Sequence, residues 1–243
     1  MCAGLCAGET RIAGLPNGAD VEAARALLRA VGVRVDDLAP AAVRVVGSPP
    51  GPHRGWNPGS AVQVGESGTL ARFAIAALAL CGRASGTLAI EATGSLTRRA
   101  SEPLLRALAD SGVEFSSRAW PIVLRPLGPP STMVLRDPVS SQEVSALLLA
   151  LAAYPDALEL VVEGALPSRP YLDMTLAVLA RFGVQVERTR DGEREAFLVQ
   201  GPLRALAEPL AIEPDASLAA VALCAAVPGA ALSRDECPTV TTF

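Results

Sequence analysis

The chain has 243 residues, 50% of them hydrophobic, 4% aromatic and 19% charged, enough to bury a core across one or two domains, which excludes a disordered chain or a fibre. Its 25 acidic residues outnumber 21 basic ones for a net charge of -4, so no global positive field gathers nucleic acid or an anionic membrane, and any anion must be held locally. All 21 basic residues are arginine, which excludes Schiff-base chemistry, a Walker-type phosphate loop and any other mechanism that needs a lysine within the chain.

In chain order, Leu5–Ile12 reads as the tail of an apolar helix followed by a strand. Leu27–Val35 then closes a helical pattern at Gly32 and opens an alternating strand. Thr69–Cys81 predicts a buried helix, with a turn and a strand at Thr87–Ile90, and Leu108–Phe115 repeats the helix, glycine, strand pattern around Gly112. Glu143–Ala153 with Leu158–Val162 repeats the buried helix and strand, and Leu179–Val186 repeats the glycine turn around Gly183. Ser217–Val227 with Ala230–Leu232 reads as the opening of a fourth unit. Each glycine stands where a helix needs a left-handed residue just past its end, and the alternation after it suits a half-buried strand.

Strands alternating with helices in repeated units predict an α/β fold. One three-unit domain is expected over 1–200, its first unit lacking its opening strand and most of its helix. A linker, best placed at Val199–Pro209, and the opening helix and strand of a second domain follow over 201–243. Glu187–Glu195, mixed in sign, reads as a solvated hairpin. The missing strand predicts an unpaired sheet edge and the unfinished fourth unit an exposed apolar helix surface, and hence association or aggregation.

Cys2, Cys6, Cys81, Cys224 and Cys237 are scattered, with no Cys-x-x-Cys pair and a single histidine, His53. Neither a disulfide framework nor a metal site is expected. The N-terminus has no basic stretch leading into an apolar one, and no apolar run, Phe73–Cys81 included, is long enough to span a bilayer, so the chain reads as cytoplasmic.

The first helix of each unit opens on small hydroxylic or amide residues: Glu66-Ser67-Gly68-Thr69, Ser140-Ser141-Gln142 and Asp215-Ala216-Ser217. Free amides at a helix start attract phosphate or carboxylate, and several starts related by a repeat can converge on one anion; taken singly, each is an ordinary N-cap. Arg98-Arg99 offers two planar forks for a carboxylate or phosphate, or a pair of solvated charges. Ser168-Arg169-Pro170-Tyr171 starts the matching helix of the third unit, with Ser168 as its cap and Pro170 in the first turn. His53 has no carboxylate or serine at motif spacing, and Tyr154, Trp56 and Trp120 read as packing residues.

Five motifs occur in order: Glu66-Ser67-Gly68-Thr69-Leu70-Ala71-Arg72; Gly94-Ser95-Leu96-Thr97-Arg98-Arg99; Val139-Ser140-Ser141-Gln142 with Ser145-Ala146-Leu147-Leu148-Leu149; Ser168-Arg169-Pro170-Tyr171-Leu172-Asp173-Met174-Thr175; and Glu213-Pro214-Asp215-Ala216-Ser217. Together they closely resemble the 5-enolpyruvylshikimate-3-phosphate synthase (3-phosphoshikimate 1-carboxyvinyltransferase) family over almost the whole chain. The resemblance implies β/α units of the enolpyruvyl transferase type, three per domain in two domains, with reaction in the cleft between them. The 5-hydroxyl of shikimate 3-phosphate adds there to the enol carbon of phosphoenolpyruvate and inorganic phosphate is eliminated, with no metal or organic cofactor. By position, Ser140, Ser141 and Ser168 match residues that hold the shikimate phosphate, Gln142 lies between the two substrates, and Tyr171 borders the shikimate site. Gly68, through its amide, and Arg99, through its charge, match phosphoenolpyruvate contacts.

The departures from the family pattern are specific. A Lys-Ser-x-x-x-Arg stretch that contacts both substrates is expected before the first unit, where this chain begins. The family's general-base aspartate, a lysine–glutamate pair and further basic ligands are expected beyond Phe243, so no catalytic residue is expected within the chain, and Asp215 is not that base. Ala100 replaces the proline usual after the matching arginine, and Glu66 stands where asparagine is also common. The isolated chain is therefore expected to bind but not to turn over. Its expected partners are the two small-molecule substrates, neither nucleic acid nor membrane, and the missing domain or another chain to complete it. Two alternatives remain open: a non-catalytic binding or regulatory relic of the family, and a UDP-N-acetylglucosamine enolpyruvyl transferase, which is disfavoured because no equivalent of its reactive cysteine loop is present.

Overall fold

The repeated helix, glycine, strand pattern folds as one turn built three times. The computed structural model describes residues 1–243 except 51–54, 58, 84–85, 100, 215–218, 222 and 225–243. Gly32, Gly112 and Gly183 have φ of +85°, +99° and +78°. In each case the amide of the next residue returns to the same place in the last helical turn: Val33 to Leu28 O at 2.9 Å, Val113 to Leu108 O at 3.0 Å, and Val184 to Leu179 O at 3.1 Å. These bonds satisfy carbonyls that the helix end would otherwise leave open, and a side chain on the glycine would oppose the left-handed backbone that makes them.

The first unit comprises α1 (Cys2–Leu5), β1 (Gly8–Ala13), α2 (Ala19–Ala30), β2 (Arg34–Ala39) and β3 (Ala42–Gly47). The second comprises β4 (Ala61–Gln63), α3 (Gly68–Cys81), β5 (Leu88–Glu91), a 3₁₀ turn over Gly94–Arg98, α4 (Glu102–Asp110), β6 (Glu114–Ser117) and β7 (Ile122–Arg125). The third comprises β8 (Thr132–Arg136), α5 (Ser141–Leu151), β9 (Ala157–Glu163), α6 (Arg169–Arg181), β10 (Gln185–Asp191) and β11 (Arg194–Gln200), after which the chain adds β12 (Leu210–Ala211). The second and third units form four-stranded sheets of the same plan, β4-β5-β7-β6 and β8-β9-β11-β10, with the opening strand parallel to its neighbour and the other pairs antiparallel.

Helices divide into two kinds. The inner ones, α1, α3 and α5, are apolar nearly all round and buried, as Ile75, Leu78 and Leu80 of α3 and Leu147, Leu148 and Leu151 of α5 show. The outer ones are amphipathic and bury one stripe: Leu27 and Leu28 of α2, Leu104, Leu105 and Leu108 of α4, Leu172 and Leu179 of α6. Burying one such leucine or isoleucine stabilises by roughly 1.5–3 kcal/mol, so the α3–α5 pair is held mainly by burial. Trp56 is part of this core, its indole N–H donating to Gly4 O at 3.0 Å, and the Tyr154 hydroxyl donates to Leu80 O across the α3–α5 pair. Trp120 is only half-buried and donates to Arg99 O at 2.9 Å.

The sheet edge expected to be unpaired is covered. β12 lies parallel to β1, with Ile12 opposite Leu210 and Ala13 opposite Ala211, so the first sheet has the order β12-β1-β3-β2 and the plan of the other two. The segment read as a linker from Val199 finishes β11 and then packs: Leu203 is buried with its amide on Ala152 O at 2.9 Å, and Arg204 N reaches Phe182 O at 2.8 Å. Thr10, fully buried, accepts the Leu206 amide at 3.3 Å. A strand arriving from 210–211 thus supplies the pairing that β1 lacks locally, which no neighbouring sequence reveals. Val221 and Leu223 are exposed, whereas most of the expected fourth unit, including Ser217 and Ala230–Leu232, lies outside the described residues, as does His53. Among the described residues no helix is long and apolar enough to cross a membrane.

Thr10→Val tests this closure. Leaving the Leu206 amide without its acceptor is expected to lower unfolding stability by about 1–3 kcal/mol in urea titration; an unchanged midpoint would show that the segment after Gln200 adds nothing to the first sheet.

Candidate functional site

Three helix starts, those of α3, α5 and α6, are joined by polar side chains. Gln142 is the centre of the connection. Its amide nitrogen donates to Thr69 Oγ1 at 2.8 Å and its carbonyl oxygen accepts Arg72 Nη1 at 3.0 Å, while the same Nη1 also donates to Gly68 O at 2.9 Å. On the other side, the Ser145 and Thr175 hydroxyls are 2.7 Å apart and Thr175 donates to Tyr171 O at 3.0 Å. The first turn of α5 is therefore bonded to that of α3 through Gln142, and its next turn to α6 through Ser145.

Between these helices lies a cavity of about 370 Å³ whose lining includes Thr69, Ser141, Gln142, Ser145 and Tyr171, with apolar walls from Phe73 and Leu149. A few convergent polar groups in an otherwise apolar concavity are the usual makeup of a small-molecule site. Tyr171 is exposed on its rim.

Each expected site residue has a definite place. Ser141, Gln142 and Tyr171 line the cavity. Gly68 is the first residue of α3, after Ser67, whose hydroxyl accepts the Leu70 amide at 3.4 Å and donates to Asp20 at 2.7 Å. Ser140 is occupied as an N-cap: its hydroxyl accepts the Gln142 amide at 3.2 Å, and the Glu143 carboxylate returns to the Val139 amide at 2.9 Å and the Ser140 amide at 3.4 Å. Ser168 corrects its expectation as a cap. It sits before α6 at φ +52° and its side chain caps none of the helix amides. Neither Ser140 nor Ser168 lines the cavity.

Arg99 is exposed just past the 3₁₀ turn and donates to Ser95 Oγ at 3.0 Å. That turn is tied to the start of α3 by Glu66, whose carboxylate accepts the Ser95 amide at 3.4 Å and lies where a Cβ on Gly94 would come within 2.0 Å of Oε1. With φ +56° at the same residue, Gly94 is the only kind of residue that fits.

Arg72, Glu143 and Thr69 are the parts that motif reading left without a role. Burial pushes the Arg72 guanidinium below its ordinary value, the Glu143 charge pulls it back up, and the positive charge of Arg99 lowers it again. Burial pushes the Glu143 carboxyl up, opposed by the Val139 amide, by Arg72 and by the Ser140 amide. Arg72 Nε and Glu143 Oε1 are both buried without a hydrogen-bond partner. The periodicity of α3 carried a usable signal, because Arg72 is one turn after Gly68 and so on the same face as the helix start. Glu195 departs from the solvated hairpin that its charge pattern predicts: it is 3% exposed and ion-paired to Arg169 and Arg188, because it continues the core-facing alternation of Phe197 and Val199. Free amides at clustered helix starts, hydroxyls and the arginine forks of Arg72 and Arg99 together suit a ligand carrying phosphate or carboxylate groups.

A family profile described as EPSP synthase (3-phosphoshikimate 1-carboxyvinyltransferase) matches residues 1–230. The chain belongs to the EPSP synthase family. Among its curated relatives, the 3-phosphoshikimate 1-carboxyvinyltransferase of Methanopyrus kandleri is 36% identical over an alignment of 213 residues that covers 83% of this chain and 46% of the relative. That of Pseudomonas syringae pv. tomato is 33% identical over 225 residues, 90% of this chain and 51% of the relative. The chain thus spans about half the length of the curated relatives it matches. Among solved structures, the EPSP synthase of Acinetobacter baumannii superposes with a TM-score of 0.73 at 23% identity, covering 90% of this chain and 47% of that one. The enolpyruvyl transferase NikO of Streptomyces tendae superposes at 0.55 with 16% identity, covering 87% and 47%. Both likenesses concern the fold, which is that of the enolpyruvyl transferases.

Glu143 makes a pH prediction. A carboxyl whose folded-state pKa lies above its unfolded value stabilises the fold below the unfolded value, about 4.3, and loses that contribution as pH rises through the raised one. The stability of the wild type relative to Glu143→Gln is therefore expected to fall from pH 4 to pH 7 in urea titrations. A difference that stays level or grows with pH would contradict the assignment.

Proposed function

We propose that this chain supplies the shikimate 3-phosphate side of an enolpyruvyl transferase site of the shikimate pathway, acting in the cytoplasm. The observation that carries the reading is the bonding of α5 to the start of α3 through Gln142 and to α6 through Ser145, which supports a single anion site shared by α3, α5 and α6. In this reading the phosphate of shikimate 3-phosphate is held by Ser140, Ser141 and Ser168, with Tyr171 against the carbocycle. Gln142 lies between the substrates, and the Gly68 amide and Arg99 receive phosphoenolpyruvate. Arg72 orients the Gln142 amide while adding positive charge behind it.

The reaction joins the 5-hydroxyl oxygen of the acceptor to the enol carbon of phosphoenolpyruvate, with a proton added to its methylene. Loss of inorganic phosphate and of a methyl proton restores the vinyl group on the new ether. Both steps need a proton donor or acceptor at a defined place, and no residue of this chain is assigned to that work. Its part is to bind and orient two anions whose mutual repulsion would otherwise keep them apart, a contribution of proximity and electrostatics. The domains follow the same reading: the third unit ends near Gln200, the chain then lays β12 along the first sheet, and the residues beyond β12 lead towards the other half of the cleft.

Calorimetric titration of the purified chain with shikimate 3-phosphate tests the proposal. Saturable binding is expected, weakened at least tenfold by Ser141→Ala combined with Gln142→Ala, since a hydrogen bond to a charged group contributes about 1.5–3 kcal/mol. No turnover by the chain alone is expected when phosphoenolpyruvate is added. Absence of binding by a folded chain would overturn the proposal and leave the motifs as inheritance without function.

A further inference from the structure

Glu195 is a carboxylate placed where β11 otherwise faces apolar residues to the core. Phe197 and Val199 continue the same face, both fully buried, and the Glu195 side chain is 4% exposed. Burying a charge is unfavourable unless it is paired and hydrogen-bonded, and here both oxygens are matched. Arg169 Nη2 lies 3.3 Å from Oε2 and its Nη1 3.4 Å from Oε1, while Arg188 Nε donates to Oε1. Arg188 is itself fixed, with its guanidinium over the Phe197 ring at 5.6 Å and Nη1 at 3.4 Å from Asp173. Burial alone would raise the Glu195 carboxyl, but the bonds from Arg188 and Arg169 outweigh it and hold the group below its ordinary value.

Arg169 directly follows Ser168. Ser168 has φ +52° and ψ +51°, a left-handed conformation that a serine keeps only where its surroundings impose it. Were the turn to relax to the extended backbone usual at a helix start, the hydroxyl could fold back as a cap onto the Tyr171 amide, which here donates to Ser168 O at 3.1 Å, Pro170 having no amide to offer. Its availability to a ligand thus depends on whatever pins the peptide after it. Pro170 restricts one side of Arg169, and the paired contacts to a buried carboxylate on the sheet hold its side chain.

We propose that Glu195 is a positioning residue of the phosphate subsite: by clamping Arg169 it keeps Ser168 in the left-handed turn that leaves its hydroxyl free for the substrate phosphate. The inference rests on the reading of Ser168 as a shikimate 3-phosphate contact. Glu195 acts at a distance, through one arginine and one backbone turn, and touches no substrate.

The test is a double-mutant cycle on the full chain, read as affinity for shikimate 3-phosphate in calorimetry, with unfolding curves checking that each variant is folded. Ser168→Ala is expected to weaken binding about tenfold in the wild-type background and no more than twofold in a Glu195→Gln background, because the clamp and the hydroxyl act as one device. Arg169→Lys, which keeps the charge and loses the two-nitrogen fork, is expected to reproduce Glu195→Gln and serves in its place if that variant does not fold. Additive losses, with the double variant weakened by the product of the two single factors, would overturn the positioning role and leave the phosphate subsite intact. A folded wild type that does not bind, or a Ser168→Ala variant that binds as the wild type does, would instead overturn the reading of Ser168 itself, and the inference with it.

Discussion

The site depends on two buried helices starting side by side. α3 and α5 are apolar around their circumference, so they bury together in the middle of the domain, and their first turns come out next to each other at its surface. Free amides at two neighbouring helix starts concentrate positive potential in one place. Gln142 then bonds the starts to each other through Thr69 and Arg72, which sets their relative position more tightly than apolar packing alone would. Burial also makes the arrangement electrostatically consequential: Arg72 and Glu143 each have a buried polar atom without a hydrogen-bond partner, so their charges are screened less than those at the surface.

The threefold repeat sets helix starts at comparable places in the fold. The second and third units each present one inner helix start and one outer helix start at comparable places, and they differ in what they put there. The second contributes Gly68, Arg72 and Arg99. The third contributes the Ser140-Ser141-Gln142 turn and the left-handed Ser168. The first sheet reaches the same four-stranded plan only because the chain returns after β11 and lays β12 along β1, an arrangement that also ties Leu203 and Arg204 to the end of α5 and α6. The described chain from Leu203 to Ala211 is consequently part of the three-unit body.

Much of this was legible because it is local. The three glycine turns are read from a helix period ending in glycine and a strand period beginning, and each folds with the same pair of backbone bonds. The site motifs were visible because helix starts demand small polar residues, although sequence alone does not distinguish a cap from a ligand contact. Ser140 turned out to be a cap and Ser168 turned out not to be one. What stayed hidden depends on residues distant in the chain: the bond between Arg72 and Gln142 spans 70 positions, and that between Thr10 and Leu206 spans 196. Glu195 was hidden differently, since a run of mixed charges reads as solvated until the strand register shows which of them points inward.

On the proposed function, the starts of α5 and α6 share one phosphate-bearing ligand. Hydrogen exchange of the full chain, compared with and without saturating shikimate 3-phosphate, addresses it directly, with shikimate as the control that lacks the phosphate. Slowed exchange is expected at amides 141–143 and at amides 169, 171 and 172 together, at one ligand concentration dependence, with no comparable slowing with shikimate. Protection confined to one of the two helix starts, or slowing that is the same with both ligands, would contradict it.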